Sequence, residues 1–158
     1  MNSEKEKKYN YDKKTALHKA ANWCAYQERS QQEVRDKLYE WQMKTAEVEE
    51  IISSLIAENF LNEERFAFAY VSGKFKIKKW GKIKIKQGLK LKRVPEQMIK
   101  KALNSIADDD YLETIQQLLE KKQRTEKESH PVKRQFKLLT YLHSKGFEKD
   151  LVMGILKK

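Results

Sequence analysis

The sequence predicts an all-α fold of three tandem helical units. Three observations carry that prediction. Apolar residues recur at helical spacing through almost the whole chain. Only five Gly and two Pro interrupt its 158 residues, too few for the many turns of a β-rich fold. A pattern of five apolar positions also occurs three times. Val34, Leu38, Met43, Val48 and Ile52 are matched by Ile85, Leu89, Val94, Ile99 and Leu103, and again by Leu138, Leu142, Phe147, Val152 and Leu156. The copies are offset by 51 and then 53 residues, the mark of a repeated helix–turn–helix pair. With 39% hydrophobic and 36% charged residues, thin modules side by side suit the composition better than one thick core.

The units are expected at 15–61, 62–107 and 108–158, after a polar, disordered arm over 1–14. In the first unit Leu17, Ala20, Ala21 and Cys24 form one stripe. Ser30 stands three residues before Glu33, the spacing of a capping box. Val34, Leu38 and Trp41 follow on one face. Thr45 is a candidate cap for a third helix carrying Val48, Ile51, Ile52, Leu55 and Ile56, with Glu47, Glu49 and Glu50 near its positive end.

In the second unit Asn62 is the candidate cap, and Phe66, Ala69, Tyr70 and Gly73 continue as a stripe. Pro95 suits a helix first turn, with Met98, Ile99, Ala102 and Leu103 facing inward. In the third, Asp108–Asp110 start a helix bearing Tyr111, Leu112, Ile115, Leu118 and Leu119. The polar segment "KKQRTEKESHP" reads as a connection or a frayed helix end and leads to Phe136, Leu139 and Leu142. Gly146 suits the residue after a helix end, and Leu151, Val152, Ile155 and Leu156 close the chain.

The segment "KFKIKKWGKIKIKQGLKLK" alternates with period two and, taken alone, also reads as a β-hairpin turning near Trp80-Gly81. The repeat favours a helix, because Ile85 and Leu89 match Val34 and Leu38. On that helix Ile83 and Leu91 form a second apolar stripe, and Gly88 costs roughly 1 kcal/mol against Ala.

The formal net charge is +11, and its distribution is informative. Between Gly73 and Lys101 stand twelve Lys or Arg residues and one acid, Glu96, a surplus equal to the net charge of the whole chain. Lys78/Lys82 and Lys82/Lys86 would repel at helical i,i+4 spacing. Contact with a polyanion or an acidic surface would relieve that repulsion. Trp80 and Phe75 lie among the lysines, either to stack on bases or to pack in the core. Lysine rather than arginine points to backbone or general acidic contact, without strong base reading.

Other chemistry finds little support. There is no Gly-rich phosphate loop or Cys pair, and His18, His130 and His143 are scattered. Asp108–Asp110 read as a helix start before they read as an ion site. Neither a metal nor a cofactor is expected, and the chain reads as a non-enzyme. One cysteine, Cys24, read as a small packed residue, fits a reducing compartment. With no signal peptide and no membrane span in the reading, a cytoplasmic monomer is expected.

The stretch "FLNEERFAFAYV", residues 60–71, resembles the signature of the bacterial RecX regulatory proteins through Leu61, Asn62, Glu63, Glu64, Arg65, Phe66, Ala67, Tyr70 and Val71. "SQQEVRDKL", residues 30–38, and "SKGFEKDLVMGIL", residues 144–156, are similar to its first and third repeats. The resemblance covers roughly residues 15–158. It implies three three-helix repeats in an elongated, curved molecule. It also implies a protein without a catalytic site that binds RecA and the RecA–DNA filament and restrains ATP hydrolysis and strand exchange. The family's basic middle module maps onto Lys74, Lys76, Lys78, Lys79, Lys82, Lys84 and Lys86, facing the filament, its DNA or an acidic rim of RecA. Trp80 belongs to this candidate surface. Arg65 either bridges to acids of its own module or joins the surface. Two departures bear on local geometry: Arg93 stands where the family usually has Gly, and Gly88 where it tends to have an acid. A generic helical DNA- or RNA-binding protein is the alternative reading.

Overall fold

The computed structural model describes residues 9–158, and every regular element among them is helical. In chain order these are α1 (Lys13–Tyr26), α2 (Gln31–Glu40), α3 (Thr45–Ala57), α4 (Glu63–Lys76), α5 (Lys82–Leu91), α6 (Glu96–Leu103), α7 (Asp108–Thr125), α8 (Pro131–Ser144) and α9 (Lys149–Leu156). The β-hairpin alternative is therefore overturned: the basic stretch forms the end of α4, a short connection and α5. The chain divides into two compact units. One holds the described residues up to Ala67 together with Lys92–Val94, and the other holds Phe68–Leu91 and Pro95–Lys158.

The helix starts follow from the local chemistry. Asp12 accepts the Thr15 N–H at 2.7 Å, Ser30 the Glu33 N–H at 3.0 Å and Asn62 the Arg65 N–H at 2.9 Å. Each bond satisfies an N–H that has no partner inside its helix. Three aspartates open α7, where carboxylates offset the positive helix end. Two starts differ from expectation by one residue. Thr45 is the first residue of α3 and Lys44 its cap, while Pro95 caps α6 and Glu96 begins it.

In the first unit α1 presents Ala16, Ala20 and Cys24 to a core completed by Val34, Leu38, Val48, Ile51 and Leu55. Small side chains on α1 allow close helix approach. Burial pushes the Cys24 thiol up to about 11, as its packing role requires. Tyr9 and Tyr11 also pack against this core, Tyr11 edge-on to Trp41 at 5.5 Å. The arm expected over 1–14 is thus corrected from residue 9 onward, because apolar rings there have a surface to cover. Residues 1–8 of it lie outside the described residues.

In the second unit α4 buries Val71 and Phe75, where the sequence stripe had Ala69 and Gly73. Ala69 is exposed. "RFAFAYV" is apolar on several sides, so periodicity alone could not fix its phase. Tyr111 of α7 lies 5.9 Å from the Phe75 ring and 5.3 Å from the Phe147 ring, centroid to centroid. Leu112 and Phe136, expected to continue apolar stripes, face outward, Phe136 at 67% exposure. Leu91 is 82% exposed and Ile83 half-buried, so the second stripe of α5 is largely uncovered.

The turns between paired helices repeat with the sequence. Gln42, Arg93 and Gly146 occupy equivalent positions, and all three have positive φ, at 63°, 57° and 98°. In the first and third copies a 3.1 Å bond closes the turn, from Met43 N–H to the Leu38 carbonyl and from Phe147 N–H to the Leu142 carbonyl. Arg93 therefore keeps the left-handed conformation that glycine favours, rather than reshaping its turn. Gly146 has a second constraint. A Cβ there would lie 2.4 Å from the Lys84 Cβ, and one at Gly81 would lie 2.3 Å from the Gly146 carbonyl carbon. Gly88 is also spatial: a Cβ would meet the Tyr70 hydroxyl at 2.0 Å.

These turns should respond in opposite directions. Arg93→Gly should stabilise the chain by about 0.5–1 kcal/mol, because the left-handed conformation penalises a Cβ. Gly146→Ala should destabilise it by at least about 2 kcal/mol, adding a backbone clash to that penalty. Urea unfolding followed by circular dichroism measures both.

Candidate polyanion interface

The seven lysines singled out in the sequence fall on three consecutive segments. Lys74 and Lys76 end α4, Lys78 and Lys79 lie in the connection, and Lys82, Lys84 and Lys86 lie on α5. Lys78 is outside both helices, so the repulsion expected for Lys78/Lys82 on one helix does not arise; Lys82/Lys86 remains. Among the described residues, no carboxylate lies within ion-pair distance of Lys76, Lys78 or Lys79, and all three are exposed. Lys86 has one distant partner, Glu96 at 4.0 Å. Lys82, Lys86, Lys100 and Glu96 help line a cavity of about 290 Å³ between α5 and α6.

Trp80 organises two of these charges. Its half-buried ring has the Lys74 ammonium 4.8 Å and the Lys84 ammonium 4.5 Å from its centroid. Lys74 also stands 5.4 Å from the Tyr70 ring. These are cation–π distances. The indole thus holds two ammonium groups from two helices, an arrangement unlike a bare platform for bases. Phe75, 6% exposed, belongs to the core.

The start of α5 has unusual support. Its first turn is lysine-rich, which opposes the positive end of the helix dipole. The backbone groups there bond to distant residues. Gly81 N–H donates to the Lys145 carbonyl at 2.8 Å and Ile83 N–H to the Gly146 carbonyl at 3.0 Å. Lys82 N–H donates to the Tyr111 hydroxyl at 3.0 Å, which in turn donates to Glu148 Oε1 at 2.6 Å. Burial, then the bond to Glu148, pushes the Tyr111 hydroxyl far above the usual tyrosine range, so it stays a neutral donor. The Lys82 ammonium also stands 4.9 Å from the Tyr111 ring.

Arg65 stands apart from the basic stretch. Its guanidinium donates to Glu28 Oε1 at 2.9 Å, Asn59 Oδ1 at 3.0 Å and the Asn59 carbonyl at 3.0 Å. Glu28 and Asn59 belong to the 15–61 repeat, so these partners are not the acids of the 62–107 module expected from sequence, although all three residues fall in the compact unit that runs to Ala67. The neighbouring Glu63 is 8% exposed, and burial raises its carboxyl above the usual range.

Sequence reasoning missed Lys145 and Lys121. Burial first, then repulsion from Lys84 and Lys121, pushes the Lys145 ammonium below the usual lysine range. A running charge count cannot find them, because the approach of Lys84 and Lys121 to Lys145 comes from the fold. Among the described residues no group of three or more His, Cys, Asp or Glu side chains could hold a metal ion, and no helix is long and apolar enough to cross a membrane.

Fold and surface together define a tandem helical-repeat protein whose middle module is rich in lysine. Comparison with known proteins makes this specific. The family models for RecX match in order: the first three-helix domain over residues 16–55, the second over 62–103 and the third over 108–156. The chain belongs to the RecX family. It is 26% identical over 150 residues to "Regulatory protein RecX" of Bacillus mycoides, covering 95% of this chain and 56% of that protein. It is 29% identical over 153 residues to the Bacillus licheniformis protein of the same description, covering 97% and 58%. The chain thus spans little more than half the length of these curated relatives. The crystal structure of RecX from Lactobacillus salivarius is similar at TM-score 0.81 and 28% identity, covering 92% of this chain and 94% of that one.

Tyr111→Phe should destabilise the chain by about 1–3 kcal/mol, since it strips the Lys82 N–H and Glu148 of their shared partner. The loss should be seen in urea unfolding and as faster amide exchange at Lys82.

Proposed function

We propose that this chain is a regulator that binds RecA and the RecA–DNA filament and slows RecA-driven ATP hydrolysis and strand exchange. One observation carries the reading: the entire net positive charge of the chain sits in residues 73–101, much of it without neighbouring acids. Membership of a family of regulatory proteins supports it. The chemistry required is attachment. Lys74, Lys76, Lys78, Lys79, Lys82, Lys84 and Lys86 supply ammonium groups on and beside α5, Trp80 fixes two of them, and binding a polyanion releases condensed counterions. The proposed role needs neither a metal nor a cofactor.

DNA-dependent ATP hydrolysis by the host RecA should slow when this protein is added at less than one copy per RecA subunit, as followed by a coupled phosphate-release assay. Unchanged hydrolysis at saturating protein would remove the RecA reading.

The charge dependence is separately testable. Lys78→Gln, Lys79→Gln, Lys82→Gln and Lys84→Gln combined should weaken binding to DNA or filament by tenfold or more and flatten the plot of log affinity against log salt by about 3. Fluorescence anisotropy across a potassium chloride series measures both quantities.

A further inference from the structure

The charge count confines the positive surplus to one stretch of sequence, but the fold carries it further. The backbone bonds that close the start of α5 seat Lys145 in the α8–α9 turn beside Lys84. From this junction ammonium groups continue in two directions. Toward α4, the Trp80 ring gathers Lys84 and Lys74 at 4.5 and 4.8 Å. Toward α7, the Tyr141 ring gathers Lys145 at 6.0 Å and Lys122 at 5.0 Å. Lys121, exposed and next to Lys122 near the end of α7, lies close enough to Lys145 to repel it. Glu126, 3.9 Å from Lys122, is a local acid at the far end. The charged groups acting on Lys145 are both lysines.

We infer that Lys74, Lys84, Lys145, Lys121 and Lys122 form one track that seats successive phosphates of a polynucleotide backbone, crossing from the second repeat onto the third. This rests on the polyanion reading above. It adds the third repeat to the contact and names the phosphodiester backbone as the ligand.

Three features favour that ligand. The track presents ammonium groups, which act as point charges toward phosphate and carry little base specificity. Trp80 and Tyr141 are already engaged by ammonium groups, so the rings position charge and leave base stacking a minor part. Backbone bonds also fix the Lys84–Lys145 junction, and each ring gathers two ammonium groups, so the charges run in series as the phosphates of a strand do.

The test uses the full chain without RecA, a labelled oligo(dT) and a potassium chloride series. Lys121→Gln with Lys145→Gln should lower affinity about five- to thirtyfold at 0.1 M salt and reduce the salt slope by about 1.4, two single-strand phosphate contacts. Thermal melting of the variant checks that the fold is kept. Lys121→Arg with Lys145→Arg should keep the parental slope. Lys127→Gln with Lys133→Gln, the same charge change at the opposite end of α8, should leave the slope within about 0.4 of the parent.

Equal losses in the two glutamine pairs would reduce the effect to net charge and overturn the track. If Lys121→Gln with Lys145→Gln kept the parental slope while the four-lysine variant flattened it, the contact would end at the second repeat and the polyanion reading would survive. If neither variant changed the slope, both would fall. Inorganic phosphate substituted for chloride at constant ionic strength should leave the difference between parent and variant intact. Its disappearance would make the cluster a seat for free phosphate and overturn the backbone assignment.

Discussion

Closure of the α5 N-terminus by residues far along the chain is the constraint on which the candidate surface depends. A helix that opens with Lys82 and Lys84 places positive charge at the positive end of its own dipole, and it has no acid in that turn. The other helix starts offset their exposed N–H groups with a nearby side chain or with early carboxylates. Here the acceptors are the Lys145 and Gly146 carbonyls and the Tyr111 hydroxyl. The carbonyls and the hydroxyl are neutral acceptors, and the Glu148 carboxylate is held one hydrogen bond further away, behind Tyr111. A carboxylate in direct contact with the helix end would cancel more of the potential that the lysines create than one set behind a hydroxyl does.

That closure explains how glycine is used. The left-handed turn recurs in all three copies, but at φ near 60° a longer residue adopts it with modest strain, as Gln42 and Arg93 do. Gly146 combines φ of 98° with a neighbour so close that no side chain fits. The glycine is kept where a second backbone approaches and dispensed with where none does. Gly88, which looks costly within a helix, makes room for the Tyr70 hydroxyl, and Tyr70 contributes to holding Lys74.

Much of the fold was legible because its determinants are local. Ser30, Asn62 and Asp108 mark helix starts by side-chain chemistry that acts within one turn. The five repeated apolar positions are buried in thirteen of fifteen cases, with Leu103 and Leu156 half-buried. Reading failed where two faces of a helix looked alike, as in "RFAFAYV", and where a large apolar residue was left without a partner, as with Phe136. The candidate surface divided in the same way. A run of lysines is visible in one dimension, whereas the pinning of Lys74 and Lys84 by Trp80 depends on where α4 ends and α5 begins. The approach of Lys145 to Lys84 depends on a turn more than fifty residues away.

The surface is held against its own electrostatics. A lysine whose folded-state pKa lies below its unfolded value weakens folding at every pH below the folded value, and the penalty lifts only as pH rises toward the ordinary lysine range. Lys145 is in that position, through burial first and through Lys84 and Lys121 second. The apolar core beneath it, with Tyr111 between Phe75 and Phe147, supplies the stability that tolerates the strain. An anion arriving at the cluster removes the repulsive part of that penalty as it binds, so part of the cost met in folding returns as affinity. Neutral side chains at Lys84, Lys121 and Lys145 would make a more comfortable fold. Under the proposed function, a negatively charged ligand would offset the cost of keeping them as ammonium groups.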